Sequence, residues 1–394
     1  MVTGKSRVKQ NKLLAFLKVI CLTVTVSLCF LLVSCSANVP PEDEQKVEPG
    51  TASRQYSFSV SRINISLDRF GNVFYAKGKW LFTDNRIMGR LTEYDPETAT
   101  ETQYNFYTAN AEYDGDNIYY FQEPPAGIPI IEAAFELHRF NIKDSIDEII
   151  YKVPENYMNL YQLKRSGRYL SWCDQRLDDE EGIIMYKNGG LEAMRARLKV
   201  MDLYTGMIIF DEESYVYSPY KRTDLSEDGI VFYMTRDNDS YSYHAVNIET
   251  SEEIWHKDNM ASPLVFGTIS DKYVAYCYTT GDVGIDWLFK VESRKDGEEV
   301  YSAGGIRSAV ISDDCLVTGF SGGFQLIDLT TGKRTTTCRD VEELAPARYI
   351  YTGWIYQIDD SHFYFVREDP QRESIQDEYG GKARDAFIAT IQYH

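Results

Sequence analysis

The chain has 394 residues, enough for more than one ordinary domain unless a repeat absorbs them. Acids outnumber bases 60 to 41, for a net charge of −19, and such a surface repels phosphate backbones, so no nucleic-acid partner is expected. Thirty tyrosines against five histidines favour strands, because aromatic side chains suit a pleated, half-buried surface.

The chain opens on a leader. Lys5, Arg7, Lys9, Lys12 and Lys18 accompany an uncharged run from Val19 to Val33. That run is short for a bilayer span and near the length of a signal-peptide core, about 7–15 residues. It ends in Leu32-Val33-Ser34-Cys35, which resembles the bacterial lipobox. The resemblance implies cleavage before Cys35 and lipid attachment to it. Residues 1–34 are then a lipoprotein signal peptide, and the protein is extracytoplasmic, held on the outer surface of the bacterial cell membrane by its lipid. An uncleaved anchor is the alternative. Residues 35–55 are Pro-rich and charged and read as the lipidated Cys followed by a flexible tether. Residues 56–394 read as the globular domain.

Within that domain one shape recurs. "TEYDPETATET" begins at Thr92, "RFNIKDSIDEI" at Arg139, "VMDLYTGMIIF" at Val200, "AVNIETSEEIW" at Ala245 and "QLIDLTTGKRTTT" at Gln325, with a looser copy, "FKVESRKDGEEV", at Phe289. Each places Asp, Asn or Ser four residues before Gly, Ser or Ala. The pairs are Asp95/Ala99, Asn141/Ser145, Asp202/Gly206, Asn247/Ser251, Ser293/Gly297 and Asp328/Gly332. A polar side chain ends one strand by bonding nearby backbone N–H groups, a small residue permits the turn, and the next strand begins. A second element, a polar turn leading into an apolar run, occurs as "KGKWLF", "DGDNIYYF", "RSGRYLSW", "SEDGIVFY", "ISDKYVAY", "ISDDCLVT" and "IDDSHFYF". Together they make a four-stranded meander of about 40–50 residues, the size of a propeller blade.

The fold expected is therefore all-β, a β-propeller of four-stranded meander blades, with seven blades and six or eight as the alternatives. "YSFSVSRINI" from Tyr56 has no earlier blade of its own. It is expected to close the ring as the outer strand of the last blade, beside the C-terminal "AFIATIQY". The pattern resembles bacterial propeller repeats of the PQQ-like and TolB-like kinds. The resemblance implies the fold and leaves the activity open. Quinoprotein dehydrogenases of the PQQ type follow the Thr-Gly turn with a docking Trp. Only Trp255 is so placed here, and no cofactor is expected.

Motifs of catalysis are missing: there is no Cys-x-x-Cys, His-Glu-x-x-His, Gly-x-Ser-x-Gly or Gly-x-Gly-x-x-Gly. His138, His244, His256, His362 and His394 show no ligand spacing, and no metal is expected. Cys173, Cys277, Cys315 and Cys338 read as free, buried thiols, with a Cys315–Cys338 bridge left open. The clusters Asp114/Asp116/Asn117 and Asp237/Asn238/Asp239 have oxygen ligands that calcium accepts, but they read first as hairpin turns. Long insertions fall between the second and third strands of blades two (122–134), three (174–197, with a short helix from Leu191) and seven (368–385). In a meander these loops share one face of the ring, and long loops on a rigid scaffold are where binding resides. The candidate binding face holds Pro124, Pro125, Asp178, Asp179, Glu180, Glu181 and Tyr186. The function expected is a binding or scaffolding module for a protein, peptide or glycan partner. The alternatives are a glycan-active hydrolase or lyase using carboxylates on the propeller face, and an accessory or sensor subunit of a cell-envelope complex.

Overall fold

The computed structural model describes residues 56–62, 70–84, 90–108, 111–122, 135–155, 157–159, 163–176, 194–216, 224–238, 240–280, 286–320, 323–340, 350–357, 361–368 and 384–393. They form seven antiparallel sheets in a ring, a seven-bladed β-propeller. In blades one to six the strands A to D run outward from the centre in chain order. Blade one is Phe70–Ala76, Lys79–Asp84, Arg90–Asp95 and Thr100–Tyr107; blade two is Ala111–Tyr113, Asn117–Phe121, Glu136–Asn141 and Ile146–Lys152. Blade three has its inner strand in two pieces, Tyr157–Asn159 and Lys164–Ser166, followed by Tyr169–Arg176, Met194–Asp202 and Met207–Val216. Blade four is Asp224–Leu225, Ile230–Asp237, Ser240–Asn247 and Glu252–Met260; blade five is Leu264–Ile269, Tyr273–Thr280, Asp286–Ser293 and Glu299–Gly304. Blade six is Ile306–Ser312, Cys315–Phe320, Gly323–Asp328 and Lys333–Thr337. Blade seven takes Ile350–Gln357, His362–Glu368 and Arg384–Tyr393 from the C-terminal end of the chain, and its outer strand, Tyr56–Arg62, from the beginning. The ring closes as expected from the two chain ends, with Tyr56 opposite Tyr393 and Arg62 opposite Phe387.

The recurring turn adopts the conformation its residues dictate. Ala99, Ser145, Gly206, Ser251, Gly297 and Gly332 all have positive φ, between 54° and 72°. Before each, a side-chain oxygen bonds the turn's backbone: Asp95 Oδ1 accepts from the N–H of Glu97 at 2.9 Å, Asn141 Oδ1 from that of Asp144 at 2.9 Å, and Asp328 Oδ1 from that of Thr330 at 2.9 Å. In blades three, four and five the small residue's own N–H donates to the carbonyl four residues back: Gly206 to Asp202 at 2.8 Å, Ser251 to Asn247 at 2.8 Å and Gly297 to Ser293 at 2.9 Å.

The core lies between blades, where each sheet presents one face to its neighbour. Cys173, Ala196, Leu198 and Val200 of blade three meet Leu225 and Val231 of blade four, and Phe324 and Leu326 of blade six meet Phe363 and Phe365 of blade seven. Cys173, Cys277, Cys315 and Cys338 are buried and form no disulfide; Cys315 and Cys338 lie unbridged in one core cluster. Polar ties join the inner strands. Asp224 of blade four accepts from Lys164 of blade three and, at 2.7 Å, from the N–H of Ile269 of blade five. Ile355 N–H of blade seven donates to Ser308 Oγ of blade six at 2.9 Å.

One sequence expectation needs correction. The insertion of blade three is shorter than 174–197, because Asp174–Arg176 and Met194–Arg197 belong to strands. The short helix expected from Leu191 falls outside the described residues. From Arg195 the side chains alternate with period two: Ala196, Leu198 and Val200 are buried toward blade four, while Arg197 and Lys199 lie on the other face.

Candidate functional site

In a meander the B–C loops and the D–A connections share one face of the ring, and the A–B and C–D turns share the other. Residues 123–134, 177–193 and 369–383 therefore leave from the same face. Pro124, Pro125, Asp178, Asp179, Glu180, Glu181 and Tyr186 fall in these insertions and lie outside the described residues, as does Cys35. The strands that carry the insertions are described. At the base of the blade-two insertion, Gln122 N–H donates to Glu136 O at 3.0 Å and Val153 N–H to Phe135 O at 3.0 Å. Lys152 Nζ reaches Glu136 Oε1 at 2.7 Å, and His138 lies between Asp147 (3.0 Å) and Glu136 (3.7 Å).

The seam between blades two and three, near the strand ends from which the blade-three insertion departs, is polar. Asp174 is fully buried two residues before its strand ends, opposite Asn159 and Arg197. Tyr151 of blade two donates to its Oδ2 at 2.5 Å, and Oδ1 has no hydrogen-bond partner among the described residues. Burial pushes the Asp174 carboxyl up to about 7, against the Tyr151 hydrogen bond and the nearby charge of Lys199. Trp172, two residues earlier on the same face, packs against Tyr151 with ring centroids 4.9 Å apart and planes tilted by 51°. Beside them runs a ladder: Lys199 Nζ to Asp211 Oδ2 at 2.6 Å, Arg197 Nε to Asp211 Oδ1 at 2.7 Å, and Arg195 Nη2 to Glu213 Oε2 at 2.5 Å. Asp211 is held below the usual carboxylate range; partial burial opposes this, but the hydrogen bonds from Lys199 and Arg197 prevail. A carboxyl that titrates near neutrality thus sits beside one that stays ionised, on the strands that carry the blade-three insertion.

A second cluster lies on the blade-four face that meets blade three. His244 stacks on Tyr233 at 5.2 Å, and Phe210 of blade three meets Tyr233 edge-on at 5.7 Å. Thr235 Oγ1 is 2.8 Å from His244 Nε2, and Glu253 Oε1 is 2.6 Å from His244 Nδ1. Glu253 Oε2 lies 3.5 Å from His256 Nδ1. The neutral tautomer that serves both contacts of His244 carries its proton on Nδ1, so that Nε2 accepts from the Thr235 hydroxyl. Sequence spacing concealed this cluster. His244 and His256 are distant along the chain and become direct cross-strand neighbours through the hairpin around Asn247–Ser251, shifted by a bulge at Ile254. Counting outward from that turn finds the pair only if the bulge is known.

The two acidic turns behave differently from a cation cage. Asp114 spends its carboxylate inside its own hairpin, accepting from the N–H of Asp116 (2.9 Å), the N–H of Asn117 (2.7 Å) and the Tyr119 hydroxyl (2.9 Å). Asn238 has positive φ and bonds Asp237, while Asp239 lies outside the described residues. Among the described residues, no three His, Cys, Asp or Glu side chains are arranged to hold a metal ion.

No protein-family model matches the chain, and no curated protein matches it. Solved structures do. The Dos1 propeller is similar with a TM-score of 0.50 at 11% identity, over 82% of this chain and 78% of that one. An oligogalacturonate lyase in complex with manganese is similar with a TM-score of 0.48 at 14% identity, over 86% and 97% of the two chains. A computationally designed protein, Ika8, is similar with a TM-score of 0.45 at 12% identity, over 82% and 98%. At these identities the likeness concerns the fold alone.

Proposed function

We propose that the protein is a lipid-anchored, extracytoplasmic binding or scaffolding module that takes a protein, peptide or glycan partner on the face bearing the three B–C insertions. The observation that supports this reading is positional. In a ring of seven meander blades, the insertions of blades two, three and seven leave from one face, and the strands that carry the blade-three insertion hold the charged seam of Asp174, Arg197, Lys199 and Asp211. A rigid ring with long loops gathered on one face is a binding scaffold by construction. Anchoring rests on the Leu32–Cys35 sequence and is read out by mass spectrometry of the N-terminal peptide, where a diacylglyceryl mass on Cys35 is expected.

The binding test is capture from solubilised membranes by the intact chain and by a chain whose residues 177–193 are replaced with a short Gly-Ser link. A partner held by the first and lost by the second is the expected result. No captured partner, together with measured turnover of a polysaccharide, would overturn the reading. That outcome would favour the second reading, a glycan-active hydrolase or lyase. Its supporting observation is Asp174, whose carboxyl titrates near neutrality as a general acid or base requires.

A further inference from the structure

Large apolar side chains exposed on a propeller rim are normally scattered. Here they are concentrated. Ile146 (57% exposed) and Ile149 lie on the outer strand of blade two, and Tyr204 (83%), Met207 (63%), Ile208 and Ile209 lie on the C–D turn and outer strand of blade three. Among the described residues, Tyr75 is the one other exposed large hydrophobic side chain.

The surrounding chemistry is equally local. From Leu203 to Phe210 there is no charged residue. Asp202, which opens the turn, is buried and bound by Arg168 Nη2 at 2.7 Å. The corresponding turns of blades one, two, four and five carry Glu97, Lys143 and Asp144, Glu249, or Arg294, Lys295 and Asp296, and in blade six Lys333 and Arg334 follow an uncharged turn directly. Arg168 also sits 5.7 Å from the Tyr204 ring centroid, beside the exposed tip. An amphipathic Tyr with Met and Ile next to a guanidinium is a composition suited to the lipid headgroup region.

Position identifies the occupant. The outer strand of blade seven begins at Tyr56, opposite Tyr393, and so starts at the end of the ring where C–D turns lie. Ile146 and Met207 also begin outer strands, and Tyr204 is in a C–D turn, so the patch and the point where the tether enters the ring share one face. Residues 35–55, at about 3.3–3.6 Å each, reach about 70 Å when extended, ample to bring any sector of that face to the membrane.

The geometry points to a lipid-facing seat. The Tyr204 turn and Met207–Ile209, with Ile146 and Ile149, rest in the headgroup region of the bilayer that carries the anchor, turning the insertion face outward. This inference rests on the lipid anchoring proposed above.

The test is amide hydrogen exchange on the lipid-bearing chain in vesicles of phosphatidylethanolamine and phosphatidylglycerol and on the same chain in solution after Cys35→Ala. Exchange from Tyr204 to Ile209 should slow about tenfold in vesicles, insensitive to added salt, while the blade-six turn at Leu329–Gly332 is unchanged. In a Tyr204→Ser/Met207→Ser/Ile209→Ser chain, still anchored and with an unaltered unfolding midpoint, that slowing should vanish. Equal exchange with and without vesicles overturns the inference. So does slowing that follows protein density rather than lipid, which would mark a second copy, and slowing that requires added membrane proteins, which would mark a protein partner. If mass spectrometry finds no lipid on Cys35, the anchoring reading fails separately. Flotation of the unanchored chain with excess vesicles, lost in the triple-serine chain, then still decides the patch.

Discussion

Blades six and three are built from the same meander and differ in almost everything else. In blade six the strands are short and unbroken, and both faces are apolar: Val310, Val317 and Leu326 pack toward blade seven, while Ile311, Leu316 and Ile327 pack toward blade five. Blade three has a divided inner strand, the longest loop and a ten-residue outer strand. One of its faces is apolar, and the other holds Asp174, Arg197 and Lys199 beside Trp172. Burying polar groups costs free energy unless they are paired, so a blade that only forms wall has no reason to keep them. Departures from the plain repeat mark the blade with a further task.

The largest effect should come from damaging wall. Phe324 of blade six is buried, with ring centroids 5.0 Å from Phe58, 5.2 Å from Phe363 and 4.5 Å from Phe365. Phe58 belongs to the strand that closes the ring, so Phe324→Ala loosens the closure as well as leaving a cavity. A loss of about 3–5 kcal/mol is expected in urea unfolding. Partner capture under conditions where the variant stays folded should be unaltered. A capture defect at full folding would erase the contrast between the two blades.

Asp174→Asn examines blade three in the same currency of stability. The carboxyl's folded value, about 7, lies above its ordinary value of 3.8. The folded state therefore binds the proton more tightly than the unfolded chain, and the contribution is complete below pH 4. It declines as pH rises and is gone above about 7, a swing of up to about 4 kcal/mol. Asparagine keeps an acceptor for Tyr151 and cannot ionise. The variant should be no more stable than the parent near pH 4 and more stable at pH 8. Asp114, Asp202 and Asp211, all held low, produce the opposite slope in both proteins, so the difference between variant and parent is the quantity to measure. A constant difference across pH 4–8 would show that Asp174 is ionised throughout.

The sequence exposed the parts of the fold that local chemistry dictates. Each Asp or Asn of the C–D turns accepts the backbone bonds its side chain predicts, and each small residue four positions on takes positive φ. Six such turns, the seven polar turns that lead into the second strands, and the matching chain ends define the blade number and the closure. The site was legible only as a location. The named insertion residues lie outside the described strands, and the polar seam near the strand ends depends on which strand faces come together. Asp174 and Arg197 read as loop in the sequence because the insertion was taken to run from one to the other. His244 and His256 escaped notice because a bulge sets their register.

Gly206 and Ser251 bring the comparison down to single turn positions, and they should give the smallest effects. Both occupy the left-handed position, at φ 68° and 58°, and both N–H groups donate 2.8 Å bonds to the carbonyl four residues back. A Cβ added to Gly206 would meet nothing within 4 Å, so Gly206→Ala isolates the backbone cost, about 1 kcal/mol of lost stability. Ser251 already carries that strain. Ser251→Gly relieves it but frees the unfolded chain as well, so the net gain should be about 0.5 kcal/mol or less. Both are read as shifts in the urea midpoint at constant slope. Opposite signs would confirm that blades three and four share one turn chemistry and differ only in the residue that fills it. A neutral Gly206→Ala would mean instead that the blade-three turn relaxes to another conformation, as its exposed, uncharged tip would permit.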